Sequence, residues 1–243
     1  MNAQVTDHAH GPCNPHQPAA VLFDMDGTLI DSESLWLDAE IDLAREYGVD
    51  WTEEDTARVF GIPLLQATAA MISKGMPGTP KELADTLVDR VGASLEHHCP
   101  WLPGAKKLLA ELEGADVPCA LVSSSFRPLV DITISAATSP FAASVAGDET
   151  DRCKPAPDPY LAAAEKVGAD IRRCVVVEDS SGGMTAGLES GAAVLLVGGR
   201  SGELEKQARA RYPQARVCSV DGLDNVTSEM LSALVVSGSE RTP

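Results

Sequence analysis

The chain has 243 residues, 44% of them hydrophobic, enough to bury a full core as one domain or as one domain carrying a smaller insert. Its formal net charge of -17 opposes a nucleic-acid backbone or an anionic membrane surface, and a small anionic substrate would need local positive groups or a metal. The six cysteines show no C-x-x-C spacing, so a disulfide framework is not expected and a reducing compartment is.

The first stretch, MNAQVTDHAHGPCNPHQP, has no basic start followed by an apolar segment, and no apolar run elsewhere reaches membrane-spanning length, which points to a cytoplasmic protein. His8, His10, Cys13 and His16 match no zinc-ligand spacing, so residues 1–19 read as a solvated, disordered tail. A short apolar run at 20–23 reads as a buried strand and ends in Asp24-Met25-Asp26-Gly27. Two close carboxylates repel each other, so this pair needs a cation or a chemical task. A calcium loop opening at Asp24 would want glycine at position 29 and glutamate at 35, and both are leucine.

Residues 34–100 carry helix signals and no convincing strand. Thr79-Pro80-Lys81-Glu82 places a capping threonine, a proline at the first helical position and a glutamate three residues after the cap. Thr52-Glu53-Glu54-Asp55 is a weaker version of the same start. From about 103 onward the pattern alternates. Helical stretches at 104–112, 127–137, 159–167 and 184–189 are interleaved with apolar runs at 117–122, 143–146 (the weakest), 174–177 and 192–197. Cys119 and Cys174 sit inside these runs, where cysteine behaves as a small buried hydrophobe. The alternation predicts an α/β fold, a Rossmann-like, mostly parallel sheet core with an inserted all-helical cap domain. The predicted division is 20–33 with 101–236 for the core, 34–100 for the cap, and a disordered tail at 237–243. No internal repeat is present.

Ligands bind beyond the carboxyl ends of strands in open parallel sheets, so the residues after each apolar run are the candidates. They are Asp24 and Asp26, then Ser123-Ser124-Ser125, then Lys154-Pro155, then Glu178-Asp179. Singly, each has an ordinary reading: a turn, a polar strand end, a solvated amine, a helix cap. Together and in this order they outline a reaction site.

The stretches DMDGT, SSS, CKPAPDPY and VVVEDSSGG, within residues 21–197, resemble the four motifs of the haloacid dehalogenase superfamily. The insert after the first motif resembles the branch with a helical cap, which includes sugar-phosphate phosphatases, phosphoglycolate phosphatase and β-phosphoglucomutase. The stretch DSESLWLDAE is similar to bacterial 2-deoxyglucose-6-phosphate phosphatases. The resemblance implies a Mg²⁺-dependent phosphatase acting on a small phosphorylated metabolite, a sugar phosphate in particular, with no nucleic-acid, membrane or obligate protein partner. It implies that Asp24 attacks phosphorus to form an aspartyl phosphate, and that Asp26 protonates the leaving alcohol and then activates water. Mg²⁺ would be held by the Asp24 carboxylate, the Asp26 carbonyl and Asp179, with Glu178 acting through water. Ser123 would bind the phosphoryl oxygens, Lys154 would offset their charge and orient Asp24, and amides near Gly27 and Ser124 would add donors.

Cap linkers are expected near 31–34 and 99–103. Gly61-Ile62-Pro63-Leu64 resembles the cap segment that faces the site. Where β-phosphoglucomutase has an arginine after that glycine, this chain has Leu64, and where it has a histidine after the first motif this chain has Trp36. Arg58 or Lys74 is the nearest substitute. A phosphomutase and an inactive phosphate-binding sensor are the alternatives. A dehalogenase is disfavoured, because that branch lacks an acid at Asp26, and a response-regulator receiver would have adjacent acids and no insert. Cys153, beside Lys154, reads as a spectator with redox sensitivity as the alternative.

Overall fold

A computed structural model describes residues 17–59, 62 and 64–236. The histidine and cysteine tail, residues 237–243, and Gly61 and Pro63 of the cap segment lie outside the described residues. Six strands form one sheet: β1 (Ala20–Phe23), β2 (Cys119–Val122), β3 (Ala143–Val145), β4 (Cys174–Glu178), β5 (Ala193–Leu196) and β6 (Val217–Ser219). Their order is β3-β2-β1-β4-β5-β6 and every neighbouring pair is parallel. The parallel α/β sheet expected from the alternating pattern is therefore present, with one edge strand, β6, that the pattern did not suggest.

All residues of β1, β2, β4 and β5 are buried, because helices cover both faces and leave no polar side for alternation. The period of two divides them between two cores. Val21, Phe23, Leu121, Val175, Val177 and Leu195 face one core with α5 (Ala105–Gly114) and α10 (Ser228–Val236). Leu22, Val122, Val176, Val194 and Leu196 face the other, with α7 (Asp158–Lys166), α8 (Ser181–Ser190) and α9 (Ser201–Arg211). Cys119 and Cys174 are both buried, and desolvation pushes their thiols up to about 12, so they serve as apolar filler.

Four helices separate β1 from α5: α1 (Glu33–Glu46), α2 (Glu53–Val59), α3 (Leu64–Ser73) and α4 (Pro80–His97). The chain enters and leaves this helical insert side by side. Ile30 bridges Trp101 in antiparallel sense, the Asp31 amide donates to the Pro100 carbonyl at 2.9 Å, and the Leu102 amide donates to Leu29 at 2.8 Å. Two reciprocal caps start the helices. Thr79 and Glu82 exchange hydrogen bonds with Pro80 at the first turn of α4. Asp55 accepts from the Thr52 amide and hydroxyl, each at 2.9 Å, while its own amide donates to the Thr52 hydroxyl. Gly92 of α4 lies against α6 (Arg127–Ser135), where an added Cβ would sit 3.3 Å from Ile132, so the lack of a side chain lets insert and sheet layer approach closely. No helix among the described residues is long and apolar enough to cross a membrane.

Inside the insert, Glu40 is 4% exposed and accepts from Trp51 Nε1 at 3.0 Å and Thr56 Oγ1 at 2.5 Å. Burial raises its carboxyl above the ordinary value, outweighing both donors. Glu40→Ala should cost about 1–3 kcal/mol, because the Thr56 hydroxyl loses its acceptor in a buried site. Glu40→Gln keeps an acceptor and should cost less. Since the folded state holds its proton more tightly than the unfolded one, the wild type should gain stability relative to Glu40→Gln as pH falls from neutral towards the ordinary value of 4.5. Thermal melts of the three proteins across that range check the order.

Candidate active site

Every candidate lies at the carboxyl edge of the sheet, Glu178 as the last residue of β4 and the others in loops that follow strands. The Asp24 amide still donates to the β4 carbonyl of Val177 at 3.0 Å, so Asp24 leaves the sheet in a fixed direction. Gly27 then turns with φ +83, and a Cβ there would stand 2.3 Å from Asp179 Oδ2. Only glycine allows both the turn and the approach of the β1 loop to the Asp179 carboxylate. On the far side, a Cβ at Gly147 would meet the Ser124 carbonyl at 2.1 Å, which seats the β3 loop carrying Lys154 against the β2 loop.

Lys154, preceding a cis proline, spends all three of its N–H donors. Its Nζ reaches Asp24 Oδ1 at 2.6 Å, Glu178 Oε1 at 2.8 Å and the Val122 carbonyl at 2.9 Å, and it lies 4.9 Å from the ring centroid of Tyr160. Tyr160, fully buried, donates its hydroxyl to the same Glu178 oxygen at 2.8 Å. The other Glu178 oxygen accepts from the amides of Asp179 and Ser180 and from the Ser180 hydroxyl, at 3.0, 3.0 and 2.9 Å. Five donors use up the lone pairs of Glu178.

This partnership decides the charges. Burial works against the Lys154 charge, but Asp24 and Glu178 outweigh it and hold the ammonium well above its usual range. Burial also works against Glu178, yet Lys154 and the added donors bring its carboxyl below the usual value. Asp24 goes the other way: desolvation raises it well above normal despite Lys154, with Glu178, Asp179 and Asp26 adding repulsion. Asp179 is raised to about 7 by desolvation and the Glu178 charge. Carboxylate oxygens of Asp24, Glu178 and Asp179 lie within 4.8 Å of one another. With Glu178 saturated and Lys154 shared between two carboxylates, Asp24 and Asp179 keep oxygens for a further cation, and these hard donors suit a divalent one that takes carboxylates and water.

Asp26 sits among hydroxyls. Ser123 and Ser125 donate to its Oδ2 at 3.1 and 2.8 Å, and Ser32, at the start of the insert, donates to Oδ1 at 2.5 Å. Ser123 also accepts from the Ser125 amide at 2.9 Å. Ser124 is exposed at the rim. The Gly27 amide donates to the Ile30 carbonyl at 2.8 Å, so in this structure it closes the turn and is not directed at a ligand. Cys153 is exposed, its thiol 3.2 Å from the Gly147 carbonyl. The fold thus gathers Asp24, Asp26, Gly27, Ser123, Lys154, Glu178 and Asp179 at one edge. Ser125, from the Ser123-Ser124-Ser125 stretch, joins them, as do Tyr160, Ser32 and Gly183, which the sequence did not single out. Tyr160 closes the CKPAPDPY stretch and Gly183 closes VVVEDSSGG, so both were in view without a signal of their contacts.

The family model described as haloacid dehalogenase-like hydrolase matches residues 21–197. The bifunctional riboflavin kinase/FMN phosphatase of Arabidopsis thaliana is 31% identical over 183 residues, 74% of this chain and 48% of that protein, so the chain spans about half the relative's length. Hexitol phosphatase B of Escherichia coli (strain K12) is 30% identical over 177 residues, 71% of this chain and 80% of that protein. The crystal structure of β-phosphoglucomutase from Clostridium difficile superposes with a TM-score of 0.73 at 19% identity, covering 92% of this chain and 100% of that one, which shows a shared fold.

Two neighbouring glycines in α8 give a direct test of the site's packing. A Cβ at Gly183 would stand 1.5 Å from Glu178 Oε1, while one at Gly182 meets nothing within 4 Å. Gly183→Ala should destabilise the protein by about 1–3 kcal/mol or more through overpacking. Gly182→Ala should be neutral or stabilise by up to about 1 kcal/mol. Equal chemical-denaturation midpoints for the two variants would contradict this account of Glu178.

Proposed function

This chain belongs to the haloacid dehalogenase-like hydrolase family, and from that premise we propose that it is a Mg²⁺-dependent phosphatase of small phosphorylated metabolites, sugar phosphates in particular. The observation that carries the reading is the unequal treatment of the acids at one sheet edge. Glu178 is neutralised by Lys154, Asp26 is held by three hydroxyls, and Asp24 and Asp179 are left in need of a cation. The relative named hexitol phosphatase supports the sugar-phosphate class.

The residues divide the work as follows. Lys154 fixes Asp24 Oδ1, leaving the other oxygen to attack phosphorus. A bond forms between that oxygen and phosphorus while the ester P–O bond breaks, and Asp26 gives its proton to the departing alcohol. Water then attacks the aspartyl phosphate, Asp26 takes the water's proton, and Asp24 leaves as carboxylate with release of inorganic phosphate. Asp24 and Asp179 would hold Mg²⁺ together with the Asp26 carbonyl, and the ion supplies positive charge against the phosphoryl oxygens. Ser123 and the Ser124 segment at the rim serve the phosphoryl oxygens once Asp26 releases the Ser123 hydroxyl. The helical insert closes the site from water. A cytoplasmic setting fits the five unpaired cysteines among the described residues.

Asp24→Asn should abolish phosphate release, since a neutral amide is a poor nucleophile. Phosphate release by Asp24→Asn at the wild-type rate would rule out the covalent route. Activity should disappear in chelator and return with Mg²⁺, and Asp179→Ala should raise the Mg²⁺ concentration for half-maximal rate. Full turnover in chelator would contradict the metal assignment.

A further inference from the structure

Resting on the phosphatase reading, we infer that the substrate is the monophosphate of an uncharged alcohol, and that esters whose leaving group carries a second phosphate or a carboxylate are rejected by charge. The observation is the state of the cations in the insert. Residues 34–100 contain twelve Asp or Glu against five Lys or Arg, a formal charge of -7. All five cations are already committed to acids of the same insert. Arg45 pairs with Asp42, Lys81 with Asp85 at 2.7 Å and Arg90 with Glu46 at 2.5 Å. Arg58 and Lys74 converge on Asp55, which Thr52 also holds through two hydrogen bonds.

The charge balance is the same whichever face of the insert closes over the site. Whatever face is presented, it brings a negative field and no uncommitted cation, so a second anion on the leaving group meets repulsion without a partner. Arg58 and Lys74, the two cations flanking the segment that ends in Leu64, are the ones that would have to replace a missing arginine. The Asp55 side chain that engages both is 5% exposed. The loops after β2 and β3 repeat the pattern. Arg127 pairs with Asp131 at 3.1 Å and Glu149 at 2.6 Å, and Arg152 pairs with Asp158 at 2.9 Å. Lys154 has its three donors filled. A bisphosphorylated sugar, which a phosphomutase must hold by its distal phosphate, is the least favoured ligand under this rule. A neutral polyol has hydroxyls to offer and no charge to be opposed.

The test compares matched esters on the Mg²⁺-loaded full chain: sorbitol 6-phosphate against fructose 1,6-bisphosphate, and glycerol 3-phosphate against 3-phosphoglycerate. The uncharged-alcohol member of each pair should have the higher kcat/KM by about tenfold or more at low salt, the scale on which protein fields alter encounter. The gap should narrow as ionic strength rises and the Debye length falls below about 10 Å. Equal or faster hydrolysis of the anionic member overturns the inference, as does a gap indifferent to salt. Lys106, stacked over Trp101 at 5.3 Å beside the second linker, and Arg200, exposed in the loop after β5, are the cations placed to contradict the rule. Lys106→Ala and Arg200→Ala should each leave the ratios unchanged, and acceptance of the bisphosphate that depends on either cation overturns the inference. Isothermal titration of the same esters into Asp24→Asn protein with Mg²⁺ reads the preference without turnover. A chain that binds the uncharged members better yet hydrolyses neither fails the phosphatase reading alone, and one that binds the anionic members better fails the charge rule.

Discussion

The contact on which the rest of the site depends is the one between Lys154 and Glu178. A fully buried glutamate and a nearly buried lysine together carry a large desolvation cost, which only good geometry and further hydrogen bonds offset. Here the lysine has three acceptors and the glutamate five donors, supplied by four separate segments of chain. Removing either partner strands a buried charge, so the pair fixes the loops after β1, β3 and β4 relative to each other. The glycines follow from this. Gly183 has no side chain because the Glu178 carboxylate occupies that volume, and Gly27 has none because Asp179 does.

Much of this organisation was legible in the sequence because burial on two faces writes a simple signal. β1, β2, β5 and the first four residues of β4 are continuous apolar runs, and the residues at the ends of β1, β2 and β4 supply most of the candidate site. β6 was not legible. It is a three-residue edge strand with one fully buried side chain, and Val-Cys-Ser in isolation resembles a loop. Ser32, the N-cap residue of α1, spends its hydroxyl on Asp26 and makes no side-chain cap. The capping signals at Thr52 and Thr79 were readable since they are local, and both appear as reciprocal hydrogen bonds.

The acids of the site were visible one by one, but their partnerships were not. Nothing in the one-dimensional order Glu178-Asp179 says which of the two is spent on a lysine 24 residues away and which stays free. Strand geometry offers only the rule that adjacent side chains diverge. The structure adds why: β4 delivers Glu178 inward, where Tyr160 and the start of α8 enclose it, and Asp179 is the first residue past the strand. Tyr160 was hidden for the same reason, since a buried tyrosine at the start of a helix reads as ordinary core until its hydroxyl is seen to reach a carboxylate 18 residues on.

The chain's strong negative charge and its cation-seeking site are two aspects of one design. In a protein of net charge -17 the field disfavours any anionic ligand at a distance, so attraction for a phosphate group has to be local. Lys154 does not provide it alone, because its charge is matched by Glu178. Asp24 and Asp179, held close by the loops and raised by desolvation, repel each other until a proton or a cation intervenes. A divalent ion held by these acids would reverse the local sign over a few ångströms while the surrounding surface stays negative. The phosphoryl group is then drawn to one point, and any second anion on the same molecule extends back into the negative field. Selectivity against doubly charged esters thus follows from the charge distribution, before any contact with the alcohol is considered.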